Sequence, residues 1–245
     1  MDSPKSLASW LHFLGISLKS KQFQCQKINC ITVLFSFLYF FSLCPLSGEG
    51  NSPPDSPLLD SEQILFITAK PGETTGFLDF YTLTEGEWVS VLEKIPVRLG
   101  RSGLISGEKK REGDGHTPLG IFPIQRVVGK RKRQMRNLEY NEIRKNSHWS
   151  DSPSSKNYNQ LTKHKEKGAV SLWDSDIYEL FVVIEHNTKP AVPGFGSMIF
   201  LHPWNEDKPT AGCVGVELKW LEELVSQLDG NKFPFLVIVE TEENF

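Results

Sequence analysis

The chain alternates short apolar runs with turns rich in glycine and glutamate over most of its length. These runs span five to eight positions and are dominated by β-branched and aromatic residues, a combination that favours strands over helices. The first three runs follow one another closely and predict an antiparallel meander. The predicted strands cover residues 64–69, 76–83, 87–92, 178–184, 197–201 and 233–240.

One segment, residues 217–229, has the periodicity of an amphipathic helix. Glu217 suits the positive end of a helix dipole, and Gly230 follows as a residue that ends helices. The chain is therefore predicted to form a mainly β domain with one main helix. The apolar face of that helix consists of Leu218, Leu221, Leu224, Val225 and Leu228.

The N-terminal part has a different pattern. Residues 31–43 are thirteen uncharged, strongly apolar positions preceded by several lysines. That length is short for a membrane span but fits the hydrophobic region of a signal peptide. A buried core helix is the alternative, although no face of the segment is polar and Pro45 follows almost at once. We therefore predict that residues 1–48 are a signal peptide or a membrane anchor.

Composition also sets the remaining boundaries. Residues 49–61 are rich in serine, proline and aspartate, which indicates a flexible linker, so the folded domain is predicted over residues 62–245. Cys44 closes the apolar segment as in a lipoprotein signal, but Leu43 stands where such signals require a small residue. Lipidation at Cys44 is left open. The expected location is the periplasm or the cell envelope.

Residues 130–167 are polar, basic and poor in aliphatic side chains. They predict an insertion or lid with some helix at residues 134–144. The basic run at residues 129–136 could contact an anionic polymer or a membrane, but a solvated loop is the preferred interpretation. The formal net charge of −3 gives no reason to expect a nucleic-acid partner.

Cysteine usage directs attention to one residue. Of the four cysteines, Cys25, Cys30 and Cys44 lie in the predicted leader, so only Cys213 belongs to the predicted folded domain. Oxidising compartments favour disulfides, and a single thiol in an exported domain therefore invites a chemical explanation. A small buried apolar residue is the alternative that composition alone would favour.

The sequence around Cys213 favours a nucleophile. A predicted strand ends just before His202, a short loop leads to Thr210, and Gly212-Cys213 precedes the predicted helix. A cysteine next to a helix N-terminus is expected to have a lowered thiol pKa. The glycine allows an acyl group to approach the backbone, whose amides could donate to an oxyanion. His202 is then the predicted base.

Other chemistries have less support. The sequence contains no Cys-x-x-Cys or His-x-x-x-His pair and no Gly-x-Ser-x-Gly elbow, and its glycine-rich loop at residues 107–120 lacks the Gly-Lys-Ser/Thr ending of a phosphate site. We therefore predict neither a metal nor a cofactor. His186 is interpreted as a structural hydrogen-bonding residue or as the edge of the cleft. Trp204 is a candidate substrate platform because it neighbours His202, whereas Asp114 and Thr117 are interpreted as turn formers.

The segment Pro-Thr-Ala-Gly-Cys-Val at residues 209–214, after Ile-Phe-Leu-His-Pro-Trp at 199–204, resembles the signature of the L,D-transpeptidase (YkuD-type) catalytic domain. It is most similar to the branch with a short loop between histidine and cysteine. Further matching stretches occur in the expected order. They lie at residues 97–103, 110–122, 183–187 and 196–197, with Trp149, Asp151, Tyr158 and Asn159 between the second and third of these.

The resemblance implies a β-sandwich-like fold and a reaction. Cys213 would attack a peptide bond between an L and a D centre in a peptidoglycan stem peptide, giving a thioester that an amine or water resolves. His202 corresponds to the family's base, whose own partner is a backbone carbonyl. Thr210 and Gly212 correspond to the residues that line the oxyanion site, and Ser197 lies in a matching stretch and joins the predicted substrate-binding residues. No cofactor is implied, and the expected form is a monomer.

Three positions depart from the family pattern: Pro203 and Gly215 replace a glycine and an arginine or asparagine that many members carry, and Ala211 replaces a histidine. They bear on substrate anchoring more than on the attack by Cys213. Crosslinking transfer is the leading hypothesis. A thiol hydrolase on the same scaffold, acting as carboxypeptidase or amidase, and a catalytically silent wall-binding module are the alternatives.

Overall fold

The computed structural model describes Leu58 and residues 60–241. The predicted leader or anchor at residues 1–48, including Cys44, lies outside the described residues, as does most of the predicted linker at 49–61. Within the described part of the chain, no helix is both long and apolar enough to cross a membrane.

Strands dominate the described residues, and a single α-helix, α1 (Leu218–Gln227), accompanies them. Short 3₁₀ turns occur at Asp176–Tyr178 and Gly230–Lys232. The prediction of a mainly β fold with one main helix is confirmed. The strands are β1 (Gln63–Ala69), β2 (Thr75–Thr84), β3 (Glu87–Arg98), β4 (Leu104–Ser106), β5 (Thr117–Pro123), β6 (Arg126–Gly129), β7 (Glu139–Glu142), β8 (His148–Ser150), β9 (Leu161–Thr162), β10 (Ala169–Ser171), β11 (Leu180–Val183), β12 (Phe200–Pro203), β13 (Val214–Val216) and β14 (Phe235–Glu240).

Eleven strands form one large sheet in the order β4-β5-β14-β1-β2-β3-β13-β12-β11-β6-β7. β1, β2 and β3 pair antiparallel, which confirms the predicted meander. β12 and β13 pair parallel in the middle of the sheet. Side chains from distant parts of the strand order, such as Phe122 of β5 and Val182 of β11, belong to one apolar core. The sheet therefore curves around that core in the manner of a sandwich.

Helix α1 packs into this core with the face that the sequence predicted. Leu221, Leu224, Val225 and Leu228 are buried, and Leu218 is partly buried against the same cluster. Burying four such side chains removes enough apolar surface to hold the helix on the sheet, because each contributes about 1.5–3 kcal/mol. The helix therefore covers the side of the strands where Leu201 and Val214 point.

The opposite side of β6, β11 and β12 carries a second apolar cluster around Trp149, Phe181 and Phe200. Trp149 is fully buried, and its ring meets that of Phe200 at 4.8 Å between centroids. It belongs to a small sheet in the order β10-β8-β9. The predicted insertion thus forms a second layer over this side of the large sheet.

The predicted helix at residues 134–144 is wrong. The segment contains β7, which pairs parallel with β6 over Glu139–Glu142. The reason lies in tertiary pairing: β6 is a buried strand whose edge is completed by β7, and that ladder outweighs the modest helix preference of a polar segment.

The basic run at residues 129–136 is, after Gly129 at the end of β6, a loop of exposed and half-buried residues, as the sequence indicated. Arg131 pairs with Glu179 at 3.0 Å, and Arg133 pairs with Glu222 of α1 at 2.5 Å. Lys130 lies 3.7 Å from Asp176. Three of the five basic residues of the run thus lie near carboxylates of the same chain, and such exposed pairs contribute little to stability.

Candidate active site

His202 lies on β12 of the large sheet, and Cys213 lies at the start of the neighbouring parallel strand β13. His202 of β12 pairs in register with Gly215 of β13, and Cys213 comes immediately before β13. Because side chains alternate along a strand, Cys213, Gly215 and His202 share one face. The strand spacing and the rise per residue place the α-carbons of Cys213 and His202 roughly 8 Å apart. The structure therefore brings the predicted nucleophile and the predicted base to adjacent positions.

His202 is held as a neutral imidazole. Its side chain is buried, and Nδ1 lies 2.9 Å from the carbonyl oxygen of Pro203. A carbonyl oxygen only accepts hydrogen bonds, so Nδ1 carries the proton and Nε2 retains its lone pair. Burial lowers the pKa of His202, and the bond to Pro203 offsets only part of that effect. The ring is thus uncharged at neutral pH and able to accept a proton at Nε2.

Cys213 rests as a protonated thiol. The Sγ–H group donates to the carbonyl oxygen of Met198 at 3.1 Å, and the residue is half-buried. Burial raises the pKa of the Cys213 thiol to about 11, although a hydrogen bond from the Phe200 backbone and the charge of Lys110 act in the opposite direction. A free thiol in this setting is almost entirely protonated at neutral pH, so attack requires a base.

The raised pKa of Cys213 contradicts the prediction that the dipole of the following helix lowers it. Strand β13 separates Cys213 from α1, which begins only at Leu218. The dipole of a helix acts mainly within its first turn. Desolvation therefore determines the thiol pKa, and it acts in the direction opposite to the one predicted from the sequence.

Alkylation of Cys213 should report this directly. Because only the thiolate reacts, the rate with iodoacetamide is expected to rise about tenfold per pH unit between pH 7 and pH 10. Mass spectrometry of the peptide that contains Cys213 follows the reaction separately from the other thiols. A rate that is already constant below pH 8 would contradict a raised pKa.

Two threonine hydroxyls fix the backbone of Cys213. Thr210 Oγ1 donates to the Cys213 carbonyl oxygen at 2.7 Å, and Thr117 Oγ1 approaches the same oxygen at 3.3 Å. Thr117 also accepts a bond from the Gly100 amide at 2.9 Å. Thr117 is therefore more than a turn former, because it links the loop of Cys213 to β5 and to the segment after β3.

Gly212 occupies a position where only glycine fits. Its φ of +142° is unfavourable for other residues, and a β-carbon there would lie 2.9 Å from the carbonyl oxygen of His116. The Gly212 amide donates to Thr210 Oγ1 at 3.2 Å. That the Gly212 amide donates to an oxyanion stays a prediction. To do so, the amide must share or release its hydrogen bond to Thr210.

Trp204 lies across Gly215 and beside His202. The rings of Trp204 and His202 meet nearly edge to face at 5.6 Å between centroids, and the indole Nε1 donates to the Lys208 carbonyl at 2.9 Å. A β-carbon at Gly215 would lie 2.6 Å from Cβ of Trp204. The indole thus takes the space into which a longer side chain at position 215 would extend.

Ser197 and His186 lie in other surroundings. Ser197 is buried beside the phenol of Tyr158. His186 Nε2 lies 2.9 Å from the Phe195 carbonyl, and its ring borders a cavity of about 520 Å³ that is lined in part by Asn187. Burial lowers the pKa of His186, as it does for His202. The contact between His186 and the Phe195 carbonyl agrees with the structural hydrogen-bonding role that the sequence suggested.

Asn159 was not among the residues predicted for the site, although it lies in a matching stretch of the sequence. The side chain is buried, and its Oδ1 accepts from Trp149 Nε1 at 3.1 Å and from the Met198 amide at 3.0 Å. Its Nδ2 donates to the carbonyl oxygens of His186 and Asn187 at 3.2 and 2.7 Å. Asn159 therefore positions Met198, whose carbonyl holds the Cys213 thiol.

Lys110 is a second residue that sequence reasoning missed. It is buried, and Nζ donates to Asp114 Oδ1 at 2.6 Å and to the Arg111 carbonyl at 2.7 Å. Its charge lowers the pKa of Cys213. A buried cation among polar motif residues has no signal in hydrophobic periodicity, so only the fold reveals it.

The fold and the site together define a mainly β protein with a histidine and a cysteine on one face of a central parallel strand pair. Comparison with protein families gives a match over residues 79–239 to YkuD, the L,D-transpeptidase catalytic domain. Since this match covers more than half of the chain, the protein belongs to the L,D-transpeptidase catalytic-domain family. A comparison with curated proteins returns no significant match.

Among solved structures, the chain is similar to the helical cell shape determining protein Pgp2 from Campylobacter jejuni, with 15% identity and a TM-score of 0.35. The match covers 74% of this chain and 49% of that protein, so the chain spans about half of its length.

Proposed function

We propose that this protein is a cell-envelope cysteine acyltransferase that acts on peptidoglycan stem peptides and passes the acyl group to an amine. The observation that carries the proposal is the placement of a neutral His202, whose Nε2 can take a proton, on the same sheet face as Cys213 at the start of the adjacent strand. Membership of the L,D-transpeptidase catalytic-domain family supports the substrate class. The protein is proposed to act as an exported monomer whose N-terminal segment can attach it to the membrane.

The first half of the proposed reaction forms a thioester. Cys213 gives its thiol proton to His202 Nε2, and the sulfur attacks the carbonyl carbon of a bond between an L and a D centre. The oxyanion of the tetrahedral intermediate is stabilised by backbone donors near Gly212. As the carbon–nitrogen bond breaks, the imidazolium returns the proton to the departing amine. The Pro203 carbonyl keeps the ring in the tautomer that this exchange needs.

The second half regenerates the thiol. An acceptor amine attacks the thioester carbonyl while His202 takes a proton from it, and the thiolate departs and is protonated by the imidazolium. Water in place of the amine gives hydrolysis, so the carboxypeptidase and amidase alternatives share every residue of this scheme. Acceptor choice alone separates them.

Incubation of the full-length chain with disaccharide tetrapeptides tests the proposal. We expect a thioester on Cys213 in the intact mass spectrum and crosslinked dimers among the products. Cys213→Ala should abolish both, whereas Cys30→Ala, in the predicted leader, should abolish neither. Trimmed monomers without dimers would identify a hydrolase. Absence of a thioester in the wild-type protein would favour a silent wall-binding module.

A further inference from the structure

The turns of the small sheet β10-β8-β9 carry a concentration of positive charge. Six cations and two carboxylates occur between residues 144 and 168, whereas the whole chain has a formal net charge of −3. Five lysines of this segment are exposed, and together they are called the basic surface here. They are Lys145, Lys156, Lys163, Lys165 and Lys167.

Strand pairing brings these lysines together. β8 pairs antiparallel with both β9 and β10, so the loop at residues 163–168 runs from one end of β8 to the other. Lys145 lies in the turn before β8, on the side where this loop begins. Ser155 donates to Glu166 at 2.8 Å, which places the segment that contains Lys156 against the same loop. The five lysines therefore share one part of the surface.

The charge of the basic surface is not neutralised within the protein. None of its five lysines makes an ion pair with residues 60–241, whereas Lys208 and Lys219 pair with glutamates at 2.5 and 2.6 Å. Glu166 is the only carboxylate in the loop at 163–168, where it stands against three lysines. A cluster of unpaired charges of one sign attracts polymers of the opposite sign. The basic surface therefore fits a polyanion.

The basic surface extends to the rim of the candidate active site. The Asp151 amide donates to the Gly168 carbonyl at 3.3 Å, next to Lys167. Burial raises the pKa of the Tyr178 phenol, and the charges of Cys213 and Asp151 act in the same direction, so these side chains lie near one another. Cys213 also packs against the apolar cluster beneath the small sheet. A polymer held by the lysines therefore passes close to the thiol.

We propose that the basic surface binds the carboxylates of peptidoglycan stem peptides and so holds the enzyme on the polymer that it modifies. The choice of polymer rests on the proposed acyl transfer. Each stem peptide ends in a carboxylate, so peptidoglycan presents negative charge at many closely spaced positions. Several weak contacts then act together, because later contacts form between partners that are already held close. An anionic membrane has the same sign of charge, but the position beside Cys213 favours the polymer that the thiol attacks.

Cosedimentation with purified insoluble peptidoglycan tests the proposal in the full-length Cys213→Ala chain, which cannot turn the polymer over. Reversal of three charges, Lys163→Glu, Lys165→Glu and Lys167→Glu, is expected to raise the dissociation constant about tenfold at low salt. Raising NaCl to about 0.5 M should weaken binding of the parent chain strongly, because salt screens exposed charges. Binding that the three substitutions leave unchanged would overturn the proposal.

The control reverses three exposed lysines on other elements: Lys94, Lys109 and Lys132. This variant has the same net charge as the first and should bind peptidoglycan as the parent chain does. Peptidoglycan whose carboxylates are amidated with glycinamide should lose the lysine-dependent part of the binding. An equal loss in the two triple variants would indicate an effect of net charge alone and would contradict a localised site, as would full binding to the amidated polymer.

Two further comparisons separate this inference from its rivals. Vesicles that contain phosphatidylglycerol should bind the parent chain and the variant at 163, 165 and 167 equally, and a loss confined to vesicles would assign the basic surface to a membrane and overturn the proposal. Lysine-dependent binding to peptidoglycan in a protein whose wild-type form makes no thioester would retain the basic surface and reject the acyl transfer. A thioester formed by a protein whose binding is independent of these lysines would do the reverse.

Discussion

Replacement of His202 by glutamine is expected to slow formation of the Cys213 thioester by about three to four orders of magnitude at pH 7. The reason is the raised pKa of the Cys213 thiol. With its pKa raised to about 11 by burial, Cys213 has almost no thiolate at neutral pH unless a neighbouring base takes the proton. Single-turnover mass spectrometry of the intact protein measures the thioester directly.

The pH dependence distinguishes a lost base from a distorted site. In the wild type, the rate should fall only below the lowered pKa of His202, because the neutral ring is the active form. In His202→Gln, the rate should keep rising with pH through pH 10, since hydroxide then supplies the thiolate. His164→Gln, at an exposed loop position, is the matched control and should behave as the wild type. A variant with the same pH profile as the wild type, only lower, would argue against His202 as the base.

Asn159→Ala is expected to destabilise the domain by about 3 kcal/mol or more. The substitution leaves four buried backbone or side-chain groups without their partner: Trp149 Nε1, the Met198 amide, and the carbonyl oxygens of His186 and Asn187. The φ of +55° at Asn159 adds to the cost, because asparagine tolerates this conformation better than alanine. Urea denaturation followed by circular dichroism gives the free energy of unfolding.

Asn146→Ala provides the comparison for Asn159. Asn146 is exposed, and its side chain makes no hydrogen bond with the residues that the structure describes, so its loss should change stability by less than about 0.5 kcal/mol. Asn159→Ala should also alter the alkylation rate of Cys213, because the Met198 carbonyl that holds the thiol loses its support. A stable Asn159→Ala protein with unchanged Cys213 reactivity would contradict the positioning role.

Local sequence patterns predicted much of the secondary structure and the central residues of the candidate site. Short runs of β-branched and aromatic residues predicted the meander of β1 to β3 and a strand next to His202, and helical periodicity predicted α1 with its buried face. Strand β13 after Cys213 was not predicted. The order of His202, Thr210, Gly212 and Cys213 identified the candidate chemistry, and the family match agrees with the resemblance on which it rested. These features depend on residues that are close together in the chain, and they can therefore be predicted from the sequence alone.

Pairing between distant strands decided the rest. The segment at 134–144 contains β7 because the edge of β6 is available for pairing. The pKa of Cys213 is raised because the thiol packs against the second apolar cluster, and β13 separates it from the start of α1. The hydrogen bonds of Asn159 to Trp149, His186 and Met198 join residues that lie far apart in the sequence. The sequence determined which residues carry the chemistry, whereas the tertiary structure decided their protonation and surroundings, since desolvation and sheet register depend on contacts that no local pattern records.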